Sequence, residues 1–194
     1  MKDREWCEKV EAELSDLKKR IDKLEGKSTS ACTGECSGRE KVIELDIEWP
    51  EADIGGLHFN KQKTRGVFEL KGDGNYYSKD ILIHSARDTD NGTDRDLLSE
   101  YLASEEVKEA FHSAARNADM VSVIGESIRV FLPEENQGVK NYNGVSWWYW
   151  LKPRYSGSSS DFCIVSLDGH SYDGGASSVG GCAPAFCVGA NRHE

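Results

Sequence analysis

VSWWYWLKPRYSGSSSDFCIVSLDGHSYDGGASSVGGCAPAFCV, residues 145–188, is the stretch on which the reading of this chain turns. A dense aromatic block, Trp147, Trp148, Tyr149 and Trp150, opens it, and Ala183-Pro184-Ala185-Phe186 closes it. Between them, short apolar strand cores are set in Ser, Gly, Asp, Tyr and His. That mixture suits adaptable contacts carried on a rigid support better than it suits a packed interior.

Composition sharpens the point. From Tyr155 to His193 there is no Lys, Glu, Gln, Met or Trp, although the earlier part of the chain is rich in charge. Loops built from Gly and Ser avoid long charged side chains in general, which accounts for part of the bias. The segment also resembles the variable region of proteins targeted by diversity-generating retroelements, which carry a C-type-lectin-like fold. The residues that carry the resemblance are Trp147 to Leu151, the run Ser158-Ser159-Ser160-Asp161-Phe162-Cys163, Val165, Gly169, and Gly181 to Cys187. Upstream, Ile81 to Arg87, Asn91-Gly92-Thr93 and Asp96 to Leu102 are similar to the same family, so that it spans roughly Gly66 to Val188. In that family adenines in selected codons are replaced at random, and an AAC or AAT codon so treated yields none of the five missing residue types.

Length and composition bound the rest. A chain of 194 residues, 38% hydrophobic with mean hydropathy −0.61, can bury one core with an appended element. No apolar run is long enough to span a bilayer, and Met1 to Glu5 lead into a charged helical pattern in place of an apolar signal segment. Membrane insertion is therefore not expected. A net charge of −10 argues against nucleic acid, because counterion release needs clustered Lys and Arg.

The first 27 residues read as a coiled-coil oligomerisation helix. Val10, Leu14, Leu17, Ile21 and Leu24 recur at alternating spacings of four and three, the 3.5-residue seam of a narrow apolar stripe. Glu13 with Lys18, and Arg20 with Glu25, then fall at positions that pair across parallel helices. The run Arg20 to Glu25 resembles a trimerisation motif, whereas Ile at a with Leu at d suits dimers. A homo-oligomer is expected, with the trimer favoured and the dimer the alternative. Residues 28–40 form a flexible Gly/Ser/Thr-rich linker, in which Cys32 and Cys36 suit half a zinc site, a small disulfide loop or two thiols.

The domain proper should occupy residues 41–194. Val42 to Trp49 alternates strictly and predicts a strand with an acidic, solvated face of Glu44, Asp46 and Glu48. Strands are expected over Gly66 to Leu70 and Asp80 to His84. Thr93 should cap a helix over Asp94 to Leu102, and Ser104 another through Arg116. Met120 to Ile124 and Ile128 to Phe131 read as two strands turning at Gly125-Glu126, followed by a loop from Glu134 to Asn143. Consecutive helices among many strands predict an α+β class. The C-type-lectin-like assignment comes from the resemblance alone.

No elbow, P-loop, zincin or dinucleotide motif is present, and no cofactor or metal is called for by the spacing. Asp168 and His170 read as solvated turn residues. Cys182 and Cys187 faintly resemble the paired cysteines of formylglycine-generating enzymes, an oxidoreductase alternative that lacks the rest of that family's site. The expectation is a non-enzymatic binding protein. By the resemblance, its ligand-binding positions within a variable region at about 147–188 are Arg154, Tyr155, Ser156, Ser158, Ser160, Asp161, Ser166, Leu167, His170, Tyr172, Asp173, Ala176, Ser177 and Cys182. Its scaffold positions are Trp147, Trp150, Phe162, Val165, Gly169, Pro184 and Phe186. The partner implied is a host or cell-surface protein or other macromolecule, met from a virion attachment structure or a cell surface. An invariant viral fibre component is the third reading.

Overall fold

The computed structural model describes residues 41–89, 95–118 and 124–188; the heptad stretch, the linker and Thr93 lie outside them. The described chain is α+β and dominated by strands. It begins with β1 (Val42–Trp49), whose burial alternates residue by residue, with Ile43, Leu45, Ile47 and Trp49 inward. The expected acidic face is exposed along a sheet edge. It pairs with the neighbouring β4 (Gln62–Leu70), Glu44 meeting Arg65, and Glu48 lying 3.4 Å from Lys63. Exposed pairs of this kind contribute little, so burial of the other face holds the strand. Between them lies the small hairpin of β2 (Ala52–Ile54) and β3 (Leu57–Phe59).

The first large sheet runs β1, β4, β5 (Asn75–Ser78), β14 (Pro184–Val188), β7 (Ile124–Val130) and is antiparallel throughout. The second runs β12 (Ser171–Gly175), β11 (Asp161–Val165), β10 (Tyr149–Arg154), β13 (Gly180–Cys182), β6 (Ile83–Ser85). Within it only the β10–β13 contact is parallel. Strand β5 was not foreseen, and the strand expected at Asp80 to His84 starts three residues later, as β6. Tyr76 and Tyr77 of β5 are both sealed because both faces of the strand are covered, Tyr76 lying against Phe186 and Tyr77 against Phe131, a condition that alternation cannot report.

Two helices cover the first sheet. The first, α1 (Leu97–Leu102), starts later than predicted because the Asp96 carboxylate caps it, accepting from the Ser99 amide at 3.0 Å. The second, α2 (Glu105–Asn117), is capped by Ser104 as expected. Its inward residues Val107, Phe111, Ala114 and Ala115 meet an aromatic core in which the Phe111 ring lies 5.4 Å from Trp49 and 5.5 Å from Phe186. The predicted turn at Gly125-Glu126 is overturned. Strand β7 runs through it, and residues 125–127 oppose Cys187 alone between the pairs Ile124–Val188 and Ile128–Phe186. Glycine marks an irregularity in the ladder here, not a reversal of the chain.

Candidate binding surface

The hairpin sequence β10–β11–β12 carries most of the predicted contact positions, and Arg87 fixes it to the rest of the fold. The Arg87 side chain is fully buried. Its Nε donates to Asp96 Oδ1 at 2.8 Å, and Nη1 and Nη2 donate to the backbone carbonyls of Leu151 and Lys152 at 3.0 and 3.1 Å. Its guanidinium carbon lies 4.2 Å from the centroid of the Phe162 ring. Burial lowers the Arg87 pKa and the adjacent Asp96 opposes that, leaving a paired cation whose fork geometry suits several acceptors at once. Trp150 adds a second tie, its indole N–H donating to the Ser85 carbonyl at 2.9 Å.

Above this anchor the chain makes two turns. Within β10 the register with β11 shifts between Trp150 and Arg154. The Tyr155 amide then donates to the Asp161 carbonyl at 2.9 Å, closing a turn that holds Ser156, Ser158 and Ser160. The hydroxyls of Ser158 and Ser160 lie 3.0 Å apart. Tyr155 is 42% exposed, Ser156 and Ser160 are exposed, and Ser158 and Asp161 are half-buried. The second turn joins β11 to β12. The Ser166 amide donates to His170 O at 2.9 Å, and Leu167 and His170 project to solvent. Hydrogen bonds from the Ser166 hydroxyl and the His170 amide hold the Asp168 carboxyl below its ordinary pKa, the state of a solvated turn residue.

Two predicted contact positions, Cys182 and Ala176, are corrected, and a third, Arg154, is partly accessible but tied to neighbouring carbonyls. Cys182 has no exposed surface, and burial pushes its thiol pKa up to about 12, so it behaves as a small apolar core group. Ala176 is buried, its amide donating to the Ser160 carbonyl and its own carbonyl accepting from the amides of Arg87 and Asp88. Arg154 is half-buried and committed to structure, with Nη1 on Ser159 O and Nη2 on Arg95 O, both at 2.7 Å, and its guanidinium 4.5 Å from the Phe162 ring.

The other positions are accessible. The turn bearing Tyr155 and the turn bearing His170 sit at opposite ends of β11, about 16 Å apart at roughly 3.3 Å per residue. The exposed edge strand β12, with Tyr172 53% exposed and Asp173 beside it, links them. Ser177 lies beyond it in the β12–β13 turn. Among the expected scaffold positions, Trp150, Phe162, Val165, Pro184 and Phe186 are buried and Gly169 is half-buried with φ +83°, but Trp147 is 39% exposed.

Trp147 belongs to a hairpin whose first strand was read as loop. Strands β8 (Lys140–Tyr142) and β9 (Val145–Trp147) form a hairpin, with Asn143 at φ 50° and Gly144 at φ 81° between them. Asn-Gly between Tyr142 and Val145 is the sequence signal of a two-residue primed turn and could have identified it. The hairpin sets Tyr142 against His84, ring centroids 3.9 Å apart, with Trp147 at 5.3 Å. His84 in turn lines a cleft of about 480 Å³ bordered by β3, β6, Tyr142, Ser177 and Val179. Burial lowers the His84 pKa, and its Nε2 is buried with no hydrogen-bond partner among the described residues.

Among the described residues no group of three or more His, Cys, Asp or Glu is placed to hold a metal ion, and no helix is long and apolar enough to cross a membrane. No family model, no curated protein and no solved structure matches the chain. The arrangement offers hydroxyl, phenol, imidazole and carboxylate groups on short turns above a braced core.

Proposed function

We propose that this chain is a hypervariable ligand-binding protein of a diversity-generating retroelement, which uses a C-type-lectin-like scaffold to present a varied surface to a host or cell-surface macromolecule. One observation carries the reading. Within β10 to β12 the large side chains Trp150, Phe162 and Val165 are sealed, while Tyr155, Ser156, Ser160, Leu167, His170 and Tyr172 stand outside the core. Residues so placed can be exchanged at little cost to folding. The scaffold assignment is supported by β1 and β14 sharing one sheet, by the two consecutive helices, and by a second sheet that carries the turns. Display on a virion attachment structure or a cell surface, as a trimer or dimer tethered through residues 1–27, follows from the same resemblance.

Tyr155 and Tyr172 are the contact anchors in this proposal, because tyrosine offers a broad amphipathic surface at the loss of few rotamers. The coding DNA of closely related isolates tests it. Adenine-derived substitutions should be confined to codons of the exposed positions, beside an imperfect repeat and a reverse transcriptase gene. Substitutions spread evenly over buried and exposed codons would overturn the reading.

A further inference from the structure

Strand β12 ends the second sheet, with β11 on one side and no ladder partner on the other among the described residues. Which of its backbone groups face outward follows from the bonds that bracket the ladder. The Ser166 amide donates to His170 O at 2.9 Å and the Ala176 amide to Ser160 O at 2.8 Å, and the register between them runs without a shift. Bonded and unbonded pairs alternate in an antiparallel ladder, so Tyr172 and Gly174 exchange bonds with Ile164 and Phe162, while Ser171, Asp173 and Gly175 turn their backbone groups away from β11. The Gly175 carbonyl is taken by the Ser178 amide at 2.9 Å, which leaves the outward amides and the carbonyls of Ser171 and Asp173 to solvent. Ser171, Tyr172 and Asp173 are exposed, and Gly174 and Gly175 are half-buried with no side chain to screen the backbone. At the other end of the same sheet β6 is sealed, Ile83 and Ser85 being 1% and 7% exposed.

Side chains alternate along this edge. Tyr172 and Gly174 share a face with Ile164, and a Cβ on Gly174 would stand 3.1 Å from Ile164 Cγ2. The missing side chain leaves a notch beside the exposed Tyr172 ring, floored by the half-buried Ile164. Asp173 points to the opposite face. Residues 155–188 carry Asp161, Asp168 and Asp173 and no Lys, Arg or Glu, and Arg154, just before them, is turned to the carbonyls of Ser159 and Arg95. A charge on an open edge guards it against unwanted pairing. Asp173 guards against an acidic strand and favours a basic one.

We propose that the open edge of β12 takes up an extended segment of the partner protein as an added strand, with an apolar side chain in the Gly174 notch beside Tyr172 and a Lys or Arg beside Asp173. The proposal rests on the reading of this face as the ligand-contact surface and adds the chemistry of what it contacts. Backbone bonds supply an attraction that no exchange of side chain at Tyr172 or Asp173 removes, while the side chains select among partners. A second copy of the chain is a poorer occupant, because it brings the same carboxylates to the edge on a chain of net charge −10.

Amide spectra of the full chain, titrated with three pools of capped pentapeptides, test the assignment. One pool alternates Val, Ile or Tyr with Lys or Arg, one replaces the basic residues by Glu, and one repeats the basic pool with every amide N-methylated. The basic pool should bind at least tenfold more tightly than either control. It should slow exchange of the Ser171, Asp173 and Gly175 amides and leave Tyr172 and Gly174, already bonded to β11, as they were. Asp173→Lys should reverse the preference towards the Glu pool with an unchanged thermal midpoint, since that side chain is exposed. Equal binding of the N-methylated pool would mean that no strand is added. Preference of the unaltered chain for the Glu pool, shifts confined to other residues, or no response to any pool would each overturn the proposal, as would slowing of the same amides on concentrating the chain without peptide, which assigns the edge to a second copy. None of these results alters the substitution pattern of the coding DNA, so failure here is distinguishable from failure of the hypervariable reading.

Discussion

A single buried guanidinium, that of Arg87, decides whether the contact turns keep their place. It serves Asp96, two carbonyls of β10 and the face of Phe162 at once. Arg87→Ala should therefore cost about 3–5 kcal/mol, because it strands a carboxylate and two carbonyls, whereas Tyr155→Ala and Tyr172→Ala should each stay within about 0.5 kcal/mol. Urea unfolding of the three variants measures the contrast, and equal losses would remove the distinction between support and surface. None of this was legible beforehand, since the acceptors on Leu151 and Lys152 lie 64 and 65 residues further along the chain. Lys140 was likewise read as loop. It is 2% exposed, donates to Ser78 O at 2.6 Å and Lys79 O at 3.1 Å, and has its pKa pushed down to about 8 by burial. A lysine depressed below its ordinary 10.5 binds fewer protons folded than unfolded between those values, so its contribution makes stability rise with pH across that window. Tyr149 and Cys182, both raised to about 12, work the other way above their ordinary values of 10.0 and 9.0. Comparison with Lys140→Met isolates the lysine. The wild type should gain roughly 3 kcal/mol on the variant between pH 8 and 10.5, at about 1.4 kcal/mol per pH unit, and parallel curves would refute the depressed value.

At the scale of elements, what could be read ahead was what is encoded locally. The eight-residue alternation of β1 and the Ser104 cap of α2 involve neighbours in sequence and came out as expected. Strand β5 and the continuity of β7 depend on β14, more than 50 residues away, and were missed or broken in two. Of the candidate surface, the positions came from the resemblance, and Tyr155, Ser156, Ser160 and Tyr172 are exposed, while the burial of Ala176 and Cys182 depends on hydrogen bonds with segments far along the chain. The β8–β9 hairpin is the instructive omission, because its signal was local and present. Gly144, at φ 81°, occupies backbone space that side chains disfavour, with nothing within 4 Å of an added Cβ. Gly144→Ala therefore probes conformation without collision. It should destabilise the hairpin by about 1–2 kcal/mol, visible as faster amide exchange at Tyr142 and Trp147 with little change in the amides of β1. Uniform loss across the domain would mean that the hairpin unfolds only with the whole.

For the whole molecule, the α+β class followed from the order of elements, whereas the pairing of β1 and β14 within one sheet required contacts that no local pattern carries. The proposed tether is a separate question, since residues 1–27 carry an a/d seam but lie outside the described residues. Turns made of serine, tyrosine and histidine present small areas, and a small contact binds weakly by itself. Linking copies converts the second contact into an intramolecular event, which raises avidity by about 10² to 10⁴ where the geometry lets both engage. In the proposed coiled coil Leu17 and Ile21 would take adjacent d and a positions, and polar residues at both would remove most of the apolar surface of that seam. Leu17→Asn with Ile21→Asn should therefore reduce the mass found by light scattering to that of one 21.6 kDa chain and leave the domain's thermal midpoint unchanged. Binding to immobilised ligand should fall far more than binding of single domains in solution. An unchanged mass would discard the coiled coil, and a lowered midpoint would mean that the domain needs its neighbours in order to fold.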